Sequence, residues 1–303
     1  VGPSGNVGRL ISVIQDKNTR RGKVSMINLE GKTALVTGGG AGMGRAIAEA
    51  FGAYGVKVAI AEIDQDRAAS VRKTLDGAKV DNLVEVVDVR EKTQVAALAG
   101  QIDARFGGLD ILVNNVGDFM GIVGPFATST EDQWNTLYQV NLKQMFVVTH
   151  AMLPLLRRSG NGGSIINVSS IEGFRGIPGG VVYGAFKAGI TGFTQSLAVE
   201  LGPEGIRVNT IAPETTDTEQ VQVTNWTNPK YMDHTKRWIP LGRFGVPKDA
   251  AGCAVFLASE LSAWVTGTTI HMDGGALAAA GWYRTPAGQW TNMPVIADKG
   301  LIF

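Results

Sequence analysis

A single cysteine, Cys253, stands in the 303 residues, so neither an intrachain disulfide nor a cysteine-based metal site is possible. That scarcity fits a reducing compartment, and a cytoplasmic protein is expected. Histidine is almost as rare, with three in the chain. His234 has no partners arranged as a metal site, and no metal is expected. No apolar run approaches the ~20 residues of a membrane span. Net charge is only +1, and no long block of one sign occurs beyond the N-terminus. Nothing therefore asks for nucleic acid or a membrane surface as partner.

What is present suits a globular protein with a sizeable core: 44% hydrophobic and 18% charged residues. The 40 glycines are many, but they fall at motif positions rather than in a low-complexity tract. Residues 1–25 differ from the rest, with five basic residues (Arg9, Lys17, Arg20, Arg21, Lys23) against one acid, Asp16. Leu10 to Ile14 is too short for a signal-peptide core. This stretch reads as a flexible N-terminal extension, with one domain over 26–303.

From Lys32 onward strands and helices alternate. Strands are expected at Ala34 to Val36, Val58 to Ala61, Leu83 to Val87, Ile111 to Val113, Ile165 to Val168, Ile206 to Ile211 and Thr268 to Met272. Helices are expected between them, including one continuous helix over 131–157 and one entered at Tyr183. Seven such alternations predict an α/β fold: a single-domain, doubly wound parallel sheet, Rossmann-like, with helices on both faces. Its crossovers should be right-handed.

Gly38, Gly42 and Gly44 lie between the first strand and the first helix, in the spacing G-x-x-x-G-x-G. Glycines there permit a tight turn and close approach of a pyrophosphate to a helix N-terminus. Glu62 follows at the end of the second strand, where a carboxylate can accept hydrogen bonds from ribose hydroxyls and repel a 2′-phosphate. NAD is thus preferred over NADP. Asp64, the rival acid, reads as a helix N-cap. Arg45 and Arg67 are the only nearby cations, and Arg45 should follow its helix.

Further on, Tyr183-Gly184-Ala185-Phe186-Lys187 places a phenol and an ammonium four positions apart on one helical face. A cation beside a phenol favours the phenolate and lowers its pKa, which suits proton exchange with an alcohol oxygen. A buried tyrosine with a snorkelling lysine is the plainer meaning of such a pair alone.

Taken together, these motifs resemble those of the short-chain dehydrogenase/reductases, over roughly residues 29–276. Thr37-Gly38-x-x-x-Gly42-x-Gly44 is similar to the family's cofactor turn. Asp88-Val89 resembles its adenine-contacting pair, and Asn114-Asn115-Val116-Gly117 its N-N-A-G motif, with Val for Ala. Asn141, Ser170, Tyr183 and Lys187 match its catalytic set in order and spacing, and Asn209 to Pro213, Thr218 and Asp273-Gly274-Gly275 continue the match.

The resemblance implies a homo-oligomer, dimer or tetramer, that moves hydride between an alcohol and nicotinamide. Tyr183 would be the general acid/base, and Lys187 would lower its pKa and hold the nicotinamide ribose. Ser170 would fix the reacting oxygen, and Asn141 would anchor a water leading from Lys187 to solvent. Met43, Ile63, Asn115, Gly117, Pro213 and Thr218 join the glycines, Glu62, Asp88 and Val89 as cofactor-binding positions. Ser169, the neighbour most easily confused with Ser170, reads as a strand-end cap.

Two departures from the pattern stand out. Glu214 follows Pro213 where the family usually has glycine, and Phe186 precedes the lysine where a small residue is common. A carboxylate at 214 either reshapes the loop, reaches a polar substrate group, or simply faces solvent. Phe186 reads as packing on the far side of its helix. Substrate selection is expected in the irregular segment 214–240, with Trp226, Tyr231, Met232 and Trp238, and along 117–124, with Phe119 and Met120. These aromatics suggest an apolar or cyclic secondary alcohol or ketone, or else they pack the lid onto the body. The tail beyond Ala276, anchored by Trp282, Tyr283, Trp290 and Met293, folds over a site or covers apolar surface.

Overall fold

The computed structural model describes residues 27–160, 162–226, 233, 235–281, 283–288 and 290–291. The expectations for 1–25, Tyr231, Met232, His234, Trp282 and Met293 lie outside these.

Seven parallel strands form one sheet in the order β3-β2-β1-β4-β5-β6-β7. They are β1 (Thr33–Thr37), β2 (Lys57–Glu62), β3 (Asn82–Val86), β4 (Ile111–Asn114), β5 (Gly163–Val168), β6 (Ile206–Pro213) and β7 (Thr269–Met272). Both faces are covered, so the central strands are apolar at nearly every position. Ala34, Val36, Val58, Ile60, Ile111 and Val113 pack on one side, against α1 (Gly42–Ala53), α2 (Gln65–Gly77) and, through Ala254 and Leu257, the later helix over 247–258. Leu35, Ala59, Leu112, Ile165 and Val208 pack on the other, with residues of α3 (Lys92–Phe106) and of the helices after β4 and β5.

Strand order reverses between β1 and β4, which opens a crevice at their C-terminal ends, the usual ligand position in such sheets. The glycine turn leaves β1 at this point, and the Asn114–Gly117 segment leaves β4 beside it.

The helix expected over 131–157 differs from expectation. It runs as α4 (Glu131–Tyr138), a π turn (Gln139–Lys143) and α5 (Gln144–Arg158). Asn141 sits in the π turn, and such bulges mark positions where a side chain is re-aimed. The Tyr183 helix, α6 (Val181–Leu201), begins two residues earlier than expected.

Beyond β6 come two short helices, α7 (Val223–Trp226) and α8 (Thr235–Trp238), then α9 (Pro247–Ala258). After β7, α10 (Ala276–Ala279) leads to a small antiparallel hairpin, β8 (Tyr283–Arg284) with β9 (Trp290–Thr291). The hairpin packs on α8, so the tail leans on the lid of its own chain. No helix of the described residues is long and apolar enough to cross a membrane.

Candidate active site

The glycine turn is held by geometry that only glycine satisfies. Gly38 and Gly42 have φ of 62° and 53°, in the left-handed region. A Cβ on Gly44 would run into the Gly38 carbonyl oxygen and stand 2.6 Å from the Asn115 amide nitrogen. Among the described residues no side chain caps the start of α1, so its first N–H groups can meet a phosphate. The Met43 side chain packs into the core, leaving its backbone to the turn. Thr218 lies over Gly42, 3.5 Å from where a Cβ would be. The turn is thus an open cradle that fits a dinucleotide's pyrophosphate.

Glu62 is 3% exposed and reaches under this turn. One carboxylate oxygen accepts the Gly40 N–H at 3.0 Å; the other accepts those of Ile63 and Asp64 at 3.0 and 3.1 Å. Arg67 adds an ion pair at 3.2 Å. Ile63 itself is exposed at the strand end. Asp64 caps α2 through the Arg67 N–H, as expected; Arg45 pairs with Glu49 on its own helix and also reaches across to Ser70 and Thr74 of α2.

Asp88 is spent mainly on Arg90, whose guanidinium holds its carboxyl below the usual range despite partial burial. Val89 beside it is buried. Asn115 ties the β4 end to the glycine turn, donating to the carbonyls of Thr37 at 3.0 Å and Gly38 at 3.3 Å.

At the ends of β4, β5 and α6 the four candidate catalytic residues come together, all buried. Asn141 Nδ2 donates to the carbonyls of Leu137 and Asp118 at 3.0 and 2.8 Å, and its Oδ1 accepts the Asp118 N–H at 3.1 Å. The π turn presents the amide to the segment after β4, and that segment is thereby fastened. Gly117 is glycine for the same reason: a Cβ there would stand 2.6 Å from Lys187 Nζ and 3.1 Å from Asn141 Oδ1.

Lys187 Nζ donates to the Val168 carbonyl at 3.4 Å and lies 5.5 Å from the centre of the Tyr183 ring. Ser170 shares a hydrogen bond with the Tyr183 phenol and accepts the Glu172 N–H at 3.2 Å. Ser169 turns the other way, donating to the Lys187 carbonyl at 2.7 Å; it anchors α6 to β5 rather than merely capping a strand. Phe119 stacks on Tyr183 with ring centres 3.8 Å apart, so the 117–124 segment does form a wall of the site.

The electrostatics correct one expectation. Burial pushes the Tyr183 phenol well above its ordinary value; the Ser170 hydrogen bond works against this, while the charges of Glu172 and Asp118 add to it. The lysine does not prevail over enclosure. Lys187 is itself drawn down to about 8 by burial, opposed by Asp118.

Sequence reasoning missed a polar row beneath the site. Asn114, Asn167 and Thr210 stand in register across β4, β5 and β6. Asn114 donates to Asn167 at 2.9 Å and to Thr149 at 3.0 Å, and Asn167 and Thr210 both donate to Thr194 at 2.9 Å. Three polar residues at matching positions of otherwise apolar strands were the available signal. Glu172 and Arg175 were also missed, because nothing local marks them.

Glu214 does not face solvent. Its side chain is 4% exposed, accepts from the backbone and hydroxyl of Thr215 at 2.7 and 2.9 Å, and pairs with Arg175 at 2.8 Å. Pro213 before it is buried at the end of β6. Phe186 packs on Tyr138 of α4, 5.6 Å between ring centres, as expected. Trp238 meets Phe244 edge-on at 6.1 Å, and with Ile171, Val223, Ile239 and Ala276 it forms a small separate core under the lid.

Comparison with known proteins agrees with this geometry. A family model described as enoyl-(acyl carrier protein) reductase matches residues 38–276. The 3-oxoacyl-(acyl-carrier-protein) reductase FabG of Thermotoga maritima is 37% identical over 254 residues, 82% of this chain and 99% of the relative. Galactitol 2-dehydrogenase of Agrobacterium fabrum is 37% identical over 259 residues, with coverage of 82% and 98%. The crystal structure of a short-chain type dehydrogenase/reductase from Mycobacterium marinum superposes with a TM-score of 0.75 at 32% identity, covering 83% of this chain and 97% of that one. With its glycine turn and its Ser–Tyr–Lys–Asn cluster at the ends of the same sheet, the chain belongs to the short-chain dehydrogenase/reductases, a family of nicotinamide-dependent oxidoreductases acting on CH–OH groups.

Proposed function

We propose that the protein is an NAD-dependent dehydrogenase that interconverts a secondary alcohol and its ketone, with Tyr183 as general acid/base. The observation that carries this reading is the gathering of buried Ser170, Tyr183, Lys187 and Asn141 around the segment that leaves β4. When bound, the nicotinamide supplies the hydride acceptor or donor. The protein's own residues do the rest. Ser170 holds the reacting oxygen in place, which converts a loose encounter into an oriented one. Tyr183 takes the hydroxyl proton during oxidation and returns it during reduction, a role worth typically ~10²–10⁴ in rate. Lys187 holds the ribose beside Tyr183. Asn141 keeps a proton path beside Lys187.

NAD is the cofactor this reading favours. The Glu62 carboxylate lies under the glycine turn, where a 2′-phosphate would meet negative charge. A second reading, NADP-linked reduction of a ketone, draws on Arg67, which is 47% exposed and pairs with Glu62. For the substrate, the Phe119 wall against Tyr183 favours an apolar or cyclic group beside the carbinol carbon. The family resemblance further supports a homo-oligomer, and the lone cysteine a reducing, cytoplasmic setting.

The test is turnover of a panel of secondary alcohols, from small aliphatic and polyhydroxylated to cyclic and aromatic, with NAD and with NADP. NAD-linked turnover that falls on the order of 10³-fold in Tyr183→Phe is the expected result. Turnover with NADP alone would establish the second reading. Cofactor binding without turnover of any alcohol or ketone would refute the dehydrogenase assignment for that panel.

A further inference from the structure

One cluster of charge near the site is not needed by any of these roles. Arg175 lies at the end of the tight turn that starts at Ser170, its N–H bonded to the Ile171 carbonyl at 3.2 Å. Its guanidinium contacts both oxygens of Glu172, at 2.7 and 3.3 Å. The same terminal nitrogen reaches the Glu214 carboxylate at 2.8 Å. Glu172 is two residues from Ser170, and its N–H bonds the Ser170 hydroxyl oxygen. Glu214 follows Pro213, its N–H bonded to the β7 carbonyl of Met272 at 3.1 Å. One side chain thus joins the turn that bears Ser170 to the end of β6.

We propose that Arg175 is a positioning residue: by holding Glu172 and Glu214 on one guanidinium, it registers the Ser170 turn against the Pro213 strand end. The proposal rests on the dehydrogenase reading for its kinetic consequence, but the tie itself does not. Two carboxylates need a cation between them to lie this close, and Glu214 is too enclosed to be screened by water. The guanidinium is suited to this because its planar fork grips Glu172 with two nitrogens, while the charge on the shared terminal nitrogen faces Glu214 as an ion pair. Glycine, the residue usual in the family at 214, could not reach Arg175. The bridge therefore depends on the carboxylate that stands at 214 here.

The experiment uses the full chain with Glu214→Gln, Arg175→Gln, Arg175→Lys and the double change Glu172→Gln with Arg175→Gln. Hydrogen exchange read by mass spectrometry reports the tie without any need for turnover. Glu214→Gln, which touches only the far end, should speed exchange in the 170–175 peptide by about threefold or more. With an alcohol that the wild-type protein oxidises, Arg175→Gln should lower kcat about tenfold while KM for that alcohol and for NAD moves less than threefold. Arg175→Lys should restore part of kcat, and the double variant should be no worse than Arg175→Gln alone, because both act through one bridge.

Unchanged exchange at 170–175 in Glu214→Gln would overturn the proposal. So would a fall in thermal midpoint with kcat intact, since the bridge would then only stabilise. If Arg175→Gln fails to fold, the Glu214→Gln and Arg175→Lys arms decide the question. If the wild-type protein oxidises no alcohol, the functional reading fails on that control, and the exchange arm still judges the tie.

Discussion

The glycine turn and the lid each border the same crevice, and they are built by opposite means. At the turn, the backbone does the work: left-handed glycines, an uncapped helix start, and a Glu62 side chain anchored on three N–H groups. Almost nothing there can shift without a clash. At the lid, two four-residue helices sit on a handful of apolar side chains, Ile171, Val223, Ile239, Phe244 and Ala276, apart from the two large cores that clasp the sheet. Among the described residues this small core is separate from the two large ones, and regions held by fewer buried contacts open at lower cost, so the segment is expected to open more readily than the turn. On the proposed function, the cofactor end is expected to act as a fixed template and the substrate end as an adjustable one.

Lys187 offers the largest test, because it sits where the two ends meet. Replacing it with Met should cut kcat on the order of 10³-fold, in the range of a lost proton-transfer partner. Stability should move the other way. Burial lowers its folded-state pKa from 10.5 to about 8, so between those values the unfolded chain binds more protons and stability rises with pH. Below about pH 8 the buried ammonium carries its full cost. Lys187→Met should therefore gain about 1–3 kcal/mol at pH 7, and the gain should shrink as pH rises from about 8 towards 10.5. Urea unfolding across that range measures it; a constant difference would show that enclosure does not govern this lysine.

Next in size is Gly44→Ala, which strikes the rigid end. Its Cβ would meet the Gly38 carbonyl, backbone that has no second rotamer. A loss of about 2–3 kcal/mol is expected, with cofactor affinity down at least tenfold and KM for the alcohol little changed. Trp238→Ala strikes the adjustable end. It should raise KM for the alcohol about tenfold, leave KM for NAD within a factor of about two, and cost less stability than Gly44→Ala. Steady-state kinetics with both substrates varied would separate the two. If both variants disturbed the same constant, the division into template and lid would fail.

The same contrast explains what the sequence made legible. The succession of strands and helices and the left-handed backbone at Gly38 and Gly42 follow short-range patterns, and they were read within a few residues. The π turn was not. Gln139–Lys143 has nothing in its composition against a plain helix, and the bulge goes with Asn141 bonding the backbone of Asp118, far away in sequence. Glu214 was left between a reshaped loop, a substrate contact and a solvent-facing acid for the same reason: its partner, Arg175, approaches only when β5 and β6 pair. Burial likewise outweighs the helical pairing of Tyr183 with Lys187, and burial belongs to the assembled molecule. Motifs on backbone turns are local facts. Charges and enclosures are not.

The smallest effect sharpens the comparison by reversing its sign. Gly100 lies within α3, exposed, with nothing among the described residues inside 4 Å of where a Cβ would stand and no left-handed φ. Alanine there loses less backbone entropy on folding and meets no neighbour, so Gly100→Ala should stabilise by about 0.5–1 kcal/mol. The chemical change is identical to that at Gly44, a hydrogen replaced by a methyl. Opposite signs in matched urea titrations would place the difference in the turn's backbone geometry, since the residue type is held constant. A loss of stability at both would mean that glycine is tolerated for reasons the close contacts do not capture, and the rigid template would lose its physical basis.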